Sequence, residues 1–237
     1  MPKDQIYLKP SPLNQNFEFN EAVVAVFDDM IRRSVPGYEM VLNVIALLAE
    51  SVTTGDCYDL GCSLGTGALL MSANVPNKQS NVIGIDNSPA MIQQAQKNSL
   101  NQGLPIAYYC QDIIDSPIQN ARLVLMNFTL QFIAIEQRLN ILKKIRQGML
   151  TGGQLLLSEK IAFTNTKTAL FQEQLHYAFK QKNGYSALEI SRKRNALENV
   201  LIPETIDTHQ KRLLEAGFSR VEIWYQCFNF VSFIAEV

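Results

Sequence analysis

The chain has 237 residues, 47% hydrophobic and 18% charged, enough apolar material for one large α/β domain or a domain carrying an insertion. A formal net charge of -1 leaves no electrostatic reason for nucleic acid in an active site. The start, Met1-Pro2-Lys3-Asp4-Gln5, lacks the apolar stretch of a signal peptide, and no apolar run reaches membrane-spanning length. Cys57, Cys62, Cys110 and Cys227 are scattered, with no CxxC pair and no histidine neighbour, which predicts reduced thiols in the cytoplasm and no metal site.

Residues 1–18 are mixed in character and hold Pro10 and Pro12, as in an ordered arm or a frayed terminus. From Asn20, an N-cap residue type, Val23, Val24, Phe27, Met30 and Ile31 mark one face of a helix, which Ser34-Val35-Pro36-Gly37-Tyr38 breaks. A second helix carries Val41, Leu42, Ile45, Leu48 and Ala49. The pair either packs on the domain or forms a lid over it, with Tyr38 presented at the bend.

The run Cys57 to Gly67 then reads as a buried strand, a glycine-rich turn and a helix start, bringing ligand against bare backbone. A dinucleotide fingerprint needs glycine where Ser63 stands, and a P-loop needs a G-K-[ST] that does not follow. Gly61-Cys62-Ser63-Leu64-Gly65 matches a nucleophile elbow in form, but no glycine-rich oxyanion loop precedes it and the histidines are only His176 and His209. What remains, Asp59-x-Gly61-x-x-x-Gly65-x-Gly67, resembles the first motif of class I S-adenosylmethionine (SAM)-dependent methyltransferases. There the turn holds the methionine moiety, a zwitterion without phosphate.

A short helix ends near Val75-Pro76, and Asn81 to Ile85 is the second strand. Asp86, 25 positions after Gly61, stands where a nucleoside-binding α/β fold places a carboxylate for the ribose. Ser88 is the better cap and Pro89 suits the first helical position, which leaves Asp86 free for that role. The helix runs to Gln102-Gly103, and Ile106 to Cys110 forms a third strand that delivers Asp112 to the ligand edge. Arg122 to Met126 brings Asn127 to the same edge. A helix through Ile135, Leu139, Leu142, Ile145 and Met149 follows, stopped by Thr151-Gly152-Gly153 before a fifth strand, Gln154 to Ser158. The alternation predicts a mainly parallel sheet with helices on both faces.

Residues 160–216 break it with helices over Phe171–Lys182 and Glu189–Val200, the second holding the basic run Arg192-Lys193-Arg194. Strands Val221–Cys227 and Phe228–Ala235 close the chain, one of them antiparallel, with Trp224, Tyr225, Phe228 and Phe230 read as packing. The expected division is one domain over 1–237: a helical cap at 19–53, a core at 54–159 and 217–237, and a helical insertion at 160–216.

Several blocks resemble the carboxy-S-adenosylmethionine synthases in particular. They are Arg33-Ser34-Val35-Pro36-Gly37-Tyr38, Tyr58 to Gly65, Ile85 to Ile92, Asn127-Phe128-Thr129-Leu130-Gln131-Phe132, Asn183-Gly184-Tyr185-Ser186, Leu197-Glu198-Asn199-Val200, and Trp224 to Phe230. The resemblance implies a Rossmann-like fold, a homodimer, and transfer of a carboxyl group from prephenate to the methyl of SAM, releasing phenylpyruvate. The product would pass to a second enzyme that modifies wobble uridine in tRNA. Deprotonating a methyl beside a sulfonium leaves an ylide able to capture carbon dioxide, and the resemblance implies that prephenate's departing hydroxide takes that proton. No histidine stands at a strand edge to be the base.

Residue by residue, the resemblance assigns Tyr38 to the ligand site and Gly61, Cys62 and Ser63 to the methionine turn, with Asp59 and Gly65 shaping it. Asp86 and Asn87 fall to the ribose, Asp112 and Ile113 to the adenine, and Asn127 to a further ligand contact. Arg194 falls to the transferred carboxylate, and Gly67 stands where family members differ. The competing expectations are an ordinary methyltransferase acting on a small molecule or RNA, and a non-catalytic protein that presents the cofactor.

Overall fold

The computed structural model describes residues 2–8, 17–77, 79–198 and 200–237. Pro10, Pro12 and Asn199 lie outside them. Helices α1 (Glu21–Ser34) and α2 (Tyr38–Glu50) precede the sheet. Then come β1 (Asp56–Leu60), α3 (Thr66–Asn74), β2 (Val82–Asp86), α4 (Pro89–Gln102), β3 (Ala107–Cys110) and β4 (Ala121–Asn127). A 3-10 turn at Leu130–Phe132 leads to α5 (Ile135–Gly148), β5 (Met149–Lys160), α6 (Thr166–Lys182), α7 (Ala187–Leu197) and α8 (Ile206–Glu215). Strands β6 (Arg220–Cys227) and β7 (Phe230–Glu236) finish the chain.

The seven strands lie in the order β3-β2-β1-β4-β5-β7-β6. All run parallel except β7, which is inserted antiparallel between β5 and β6. The β strands sort their side chains by alternation: Tyr58, Val124, Met126, Leu155 and Leu157 join Leu142 of α5 and Leu213 of α8 on one face. Cys57, Leu123, Leu125 and Leu156 join Ile45 of α2 and Met71 of α3 on the other. Each face is buried, so the central strands read as continuous apolar runs.

Local chemistry sets the helix ends. Asn20 Oδ1 accepts from the Val23 amide at 3.2 Å, and Ser88 Oγ accepts from Met91 at 3.3 Å, with Pro89 opening α4. Two expectations change. Thr151-Gly152-Gly153 does not separate helix from strand: α5 already ends at Gly148, β5 begins at Met149, and the glycines form a bulge, where pairing jumps from Ala121–Met149 to Leu123–Gln154. Residues 160–216 are not all outside the alternation, because α8 packs on α5 and β6 as a crossover helix does. Its apolar face escaped notice because the buried position between Ile206 and Leu213 is His209.

The first helices and the last strands meet. Tyr225 of β6 lies under the turn before α2, its hydroxyl 3.5 Å from the Pro36 carbonyl, where a Cβ on Gly37 would collide with the ring. Asp4 is buried, its amide donating to Asp29 Oδ2 at 2.7 Å and its Oδ2 accepting from the Tyr185 hydroxyl at 2.5 Å.

Candidate active site

A cavity of about 790 Å³ opens along the carboxyl edge of the sheet, at the upper end of the size range for small-molecule sites. Its floor is the strand ends, and its roof is made by α1, α2, α6 and α7. Of the residues expected in the site, Tyr38, Asp59, Gly61, Cys62, Ser63, Asp86, Asn87, Asp112, Ile113, Asn127 and Arg194 all line it.

Gly65 does not. It turns the chain at φ +80° into α3, and a Cβ there would point away from the cavity at the Tyr108 hydroxyl, 2.3 Å off. Gly67, two residues on, does line the cavity together with Gly61, and a Cβ on Gly67 would stand 2.7 Å from Asp59 Oδ2. Gly65 shapes the turn; Gly67 keeps it open.

The β1–β3 half of the floor is acidic. Asp59 is buried and accepts from the Ala68 amide at 2.8 Å in the first turn of α3. Burial, with the Asp86 charge adding to it, pushes its carboxyl up to about 7. Asp86 is not free as expected: Oδ1 accepts from the Ser88 amide and Oδ2 from the Ser63 amide, each at 2.9 Å. It still lines the cavity, and a carboxylate has lone pairs to spare for ribose hydroxyls. Asp112 is exposed, with Oδ1 turned to the Ile114 amide at 2.9 Å. Burial pushes the Cys62 thiol well above its ordinary value, which makes it inert packing.

At the centre, Asn127 ends β4 with its Oδ1 buried and without a partner among the described residues. A buried amide oxygen costs free energy unless something donates to it, and here the open side is the cavity. The next residue, Phe128, holds φ +62°, and Ser63 holds φ +49°. Left-handed backbone at a phenylalanine is strained, and both residues lie at the cavity. The Glu159 carboxylate fixes the turn that follows, accepting from the Leu130 and Gln131 amides at 2.9 Å each. Tyr38 stands opposite as the first residue of α2, buried, its phenol raised by burial and by Asp59.

Beyond β4 the cavity brings together three lysines and an arginine, with Glu173, Glu189 and Glu198 also on its wall, and most of this half went unread in the sequence. Lys160 ends β5, Lys180 lies in the last turn of α6, and Lys193 and Arg194 come from α7. Lys160, Lys180 and Lys193 lie too far apart in sequence to form a motif; only the strand-edge position of Lys160 was a signal. Lys193 Nζ donates to Ser34 Oγ at 3.0 Å, and Arg194 pairs with Glu173 of α6. Burial lowers Lys193 and Lys180 to about 8 each.

A histidine does reach the cavity, from a helix and not from a strand edge. His176 of α6 packs edge-on against Phe230 at 4.9 Å, and its Nε2 lies 2.8 Å from the Ser34 carbonyl, which it donates to as the neutral ring. Burial, then the Lys180 charge, holds it down to about 3, so it carries no cationic charge near neutrality. Phe230, read as packing, is also a wall of the site. Trp224 packs against the α2 side of the sheet.

The sheet order, the glycine turn and the acids at the ends of β1 and β2 define a SAM-dependent methyltransferase fold. The methyltransferase-domain family profile matches residues 58–153. Among solved structures, a SAM-dependent methyltransferase of Methanococcus maripaludis, described there as putative, superposes with a TM-score of 0.61 at 19% identity, over 95% of this chain and 97% of its own. Human N-acetylserotonin methyltransferase in complex with SAM superposes with a TM-score of 0.62 at 15% identity, over 91% of this chain and 55% of its own. These share the fold.

Sequence relatives are more specific. The carboxy-S-adenosyl-L-methionine synthase of Citrifermentans bemidjiense is 49% identical, over 98% of this chain and 97% of its own. That of Trichlorobacter lovleyi is 50% identical over the same shares. The chain belongs to the carboxy-S-adenosyl-L-methionine synthase family and is a SAM-dependent enzyme. Its cavity suits SAM on its own terms, through the bare backbone at Gly61 and Gly67 and the unpartnered Asn127 oxygen. Among the described residues no helix is long and apolar enough to cross a membrane, and no three His, Cys, Asp or Glu side chains group as metal ligands.

Proposed function

We propose that the enzyme transfers a carboxyl group from prephenate to the methyl of SAM, releasing phenylpyruvate. The observation that carries this reading is the division of charge along the cavity, with aspartates on the β1–β3 side and lysines and an arginine beyond β4. Ribose, adenine amine and the ammonium of methionine call for acceptors; a dicarboxylate calls for cations. An ordinary methyl acceptor leaves the basic half without a purpose.

Bound SAM supplies a methyl group whose hydrogens the sulfonium acidifies. Gly61, Cys62, Ser63 and Gly67 carry the methionine moiety on bare backbone; Asp86 and Asn87 serve the ribose, and Asp112 and Ile113 the adenine. Asn127 and Tyr38 lie at the reacting end, and Arg194 holds the carboxyl that is transferred, as a planar guanidinium suits a carboxylate. Aromatisation of prephenate frees a hydroxide along with the carboxyl carbon, so the chain need supply no base, in keeping with a His176 committed to Ser34.

The same reading takes 19–53 as a cap, 54–159 and 217–237 as the SAM-binding core, and 160–216 as the helical insertion of one domain, with its last helix α8 packed on the core. It includes a cytoplasmic homodimer, for which the exposed Leu170, Phe171 and Leu175 of α6 offer apolar surface. It also includes hand-off of the product to a tRNA wobble-uridine carboxymethyltransferase, without direct tRNA binding here. Incubation with SAM and prephenate, followed by mass spectrometry, tests the core of it. The expected product is SAM with a carboxyl group in place of one hydrogen; untouched SAM beside untouched prephenate would sink the proposal.

A further inference from the structure

Two of the cations in the cavity differ from the rest. Lys193 is tied to Ser34 and Arg194 to Glu173, but among the described residues neither the Lys160 nor the Lys180 ammonium has an ion pair or a side-chain hydrogen bond. Both are partly buried on the cavity wall. They also feel one another: after burial itself, the Lys160 charge is the largest influence lowering Lys180, and Arg194 lowers both. Glu173 is the carboxylate that offsets this, and it is already engaged by Arg194. Like charges gathered in a partly dry cavity call for a further anion.

Their position narrows the choice of anion. Asn127 pairs in register with Ser158 on β5, and Lys160 lies two residues beyond Ser158, on the same face of the same strand. Lys160 therefore stands beside the reacting end of the cavity, on the side away from β1–β3. Arg194 reaches in from α7, with its side chain 67% exposed. Cations thus enter the cavity from three elements, Lys160 at the sheet edge, Lys180 on α6 and Arg194 on α7, with Arg194 the most exposed.

We propose that Lys160 and Lys180 form a second carboxylate site, which holds the carboxylate of the co-substrate that is not transferred and that leaves with the keto-acid product. This assignment rests on the prephenate reading above. Prephenate carries two carboxylates, only one of which is lost; phenylpyruvate keeps the other. Arg194 serves the group that moves, and the lysine pair serves the group that stays and fixes the ring relative to the methyl.

Phenylpyruvate then separates the lysine pair from Arg194. Titrated calorimetrically into the SAM-loaded protein, it binds the wild type, and Lys160→Met and Lys180→Met each weaken it tenfold or more. Arg194→Leu changes its affinity less than threefold, and Lys180→Arg restores most of the loss. SAM affinity stays within twofold in every variant, which separates a lost carboxylate contact from a misfolded site. The wild type provides an independent arm: ethyl phenylpyruvate, the ester lacking the carboxylate, binds at least tenfold more weakly than the acid. Phenylpyruvate affinity unmoved by either lysine substitution, or equal for acid and ester, overturns the second site. Prephenate turnover is followed in parallel. Turnover with lysine-independent binding overturns the site and leaves the reaction standing; lysine-dependent binding without turnover supports the site and overturns the prephenate reading.

Discussion

Asp86 and Ser63 are joined across two strands: the Asp86 Oδ2 at the end of β2 accepts the Ser63 amide of the turn after β1 at 2.9 Å. The residue that suits the ribose also builds the floor on which the methionine turn rests. Asp86→Asn keeps one acceptor oxygen and sets an amide NH2 against a backbone N–H. A hydrogen bond to a charged group contributes roughly 1.5–3 kcal/mol, so SAM affinity is expected to fall about 10- to 100-fold, measured by titration calorimetry. Unchanged affinity would remove Asp86 from the cofactor floor.

Gly67 and Gly103 form a contrasting pair. A Cβ on Gly67 would press on Asp59 Oδ2 at 2.7 Å and on Leu125 Cδ1 at 3.0 Å, both inside the core. Gly67→Ala is expected to cost about 1–3 kcal/mol in thermal or denaturant unfolding and to weaken SAM binding. Gly103 faces open space at φ +66°, so Gly103→Ala carries only the left-handed backbone cost of roughly 1–2 kcal/mol and leaves SAM affinity unchanged.

Arg194→Leu is expected to lower the carboxylation rate tenfold or more while SAM affinity stays within twofold. Arg194→Lys recovers only part of the rate, because an ammonium cannot match the two-point geometry of a guanidinium. A carboxylation rate unaffected by the leucine would return Arg194 to the solvated face that its exposure and its Glu173 partner also fit.

Acid should loosen the fold through His209. Its ring is buried against Phe233, with neither nitrogen partnered among the described residues, and burial holds it down to about 4 from an ordinary 6.5. Glu204 pulls the other way, while Arg212 and Arg138 add to the depression. Above pH 6.5 both states are neutral at this ring. Between pH 6.5 and 4 the unfolded chain takes the proton first, so stability is lost as pH falls, by on the order of 3 kcal/mol. His209→Phe is expected to remove about half of the histidine-linked slope in that window and to preserve stability at pH 7, read from urea unfolding at stepped pH. His176, held down to about 3, supplies the other half.

The sequence made the cofactor half of the cavity legible because that half is local. Strand, glycine turn and acid follow one another within a few residues, and alternation fixes which strand ends face the ligand. Gly65 and Gly67 were harder to rank, since which glycine lies bare depends on how α3 sits against β1. The basic side was opaque for a different reason: Lys160 and Lys180 come from separate elements and line one cavity only once α6 is folded over β5. The α8 helix hid behind a buried histidine, where a pattern of apolar spacing finds a polar letter. The bond of Asp86 to Ser63 was not legible because it crosses strands.

The contact of Tyr225 with the Gly37 turn spans 189 positions between its hydroxyl and the Pro36 carbonyl, and that of Tyr185 with Asp4 spans 181. A ribosome releases the partners of these contacts in a fixed order. Strands β1–β4 can pair while translation continues, but the roof over them cannot seat until Tyr225 has left the exit tunnel. A stalled nascent chain would therefore present an open, uncapped sheet edge, and the reaction chamber would close only at the end of synthesis.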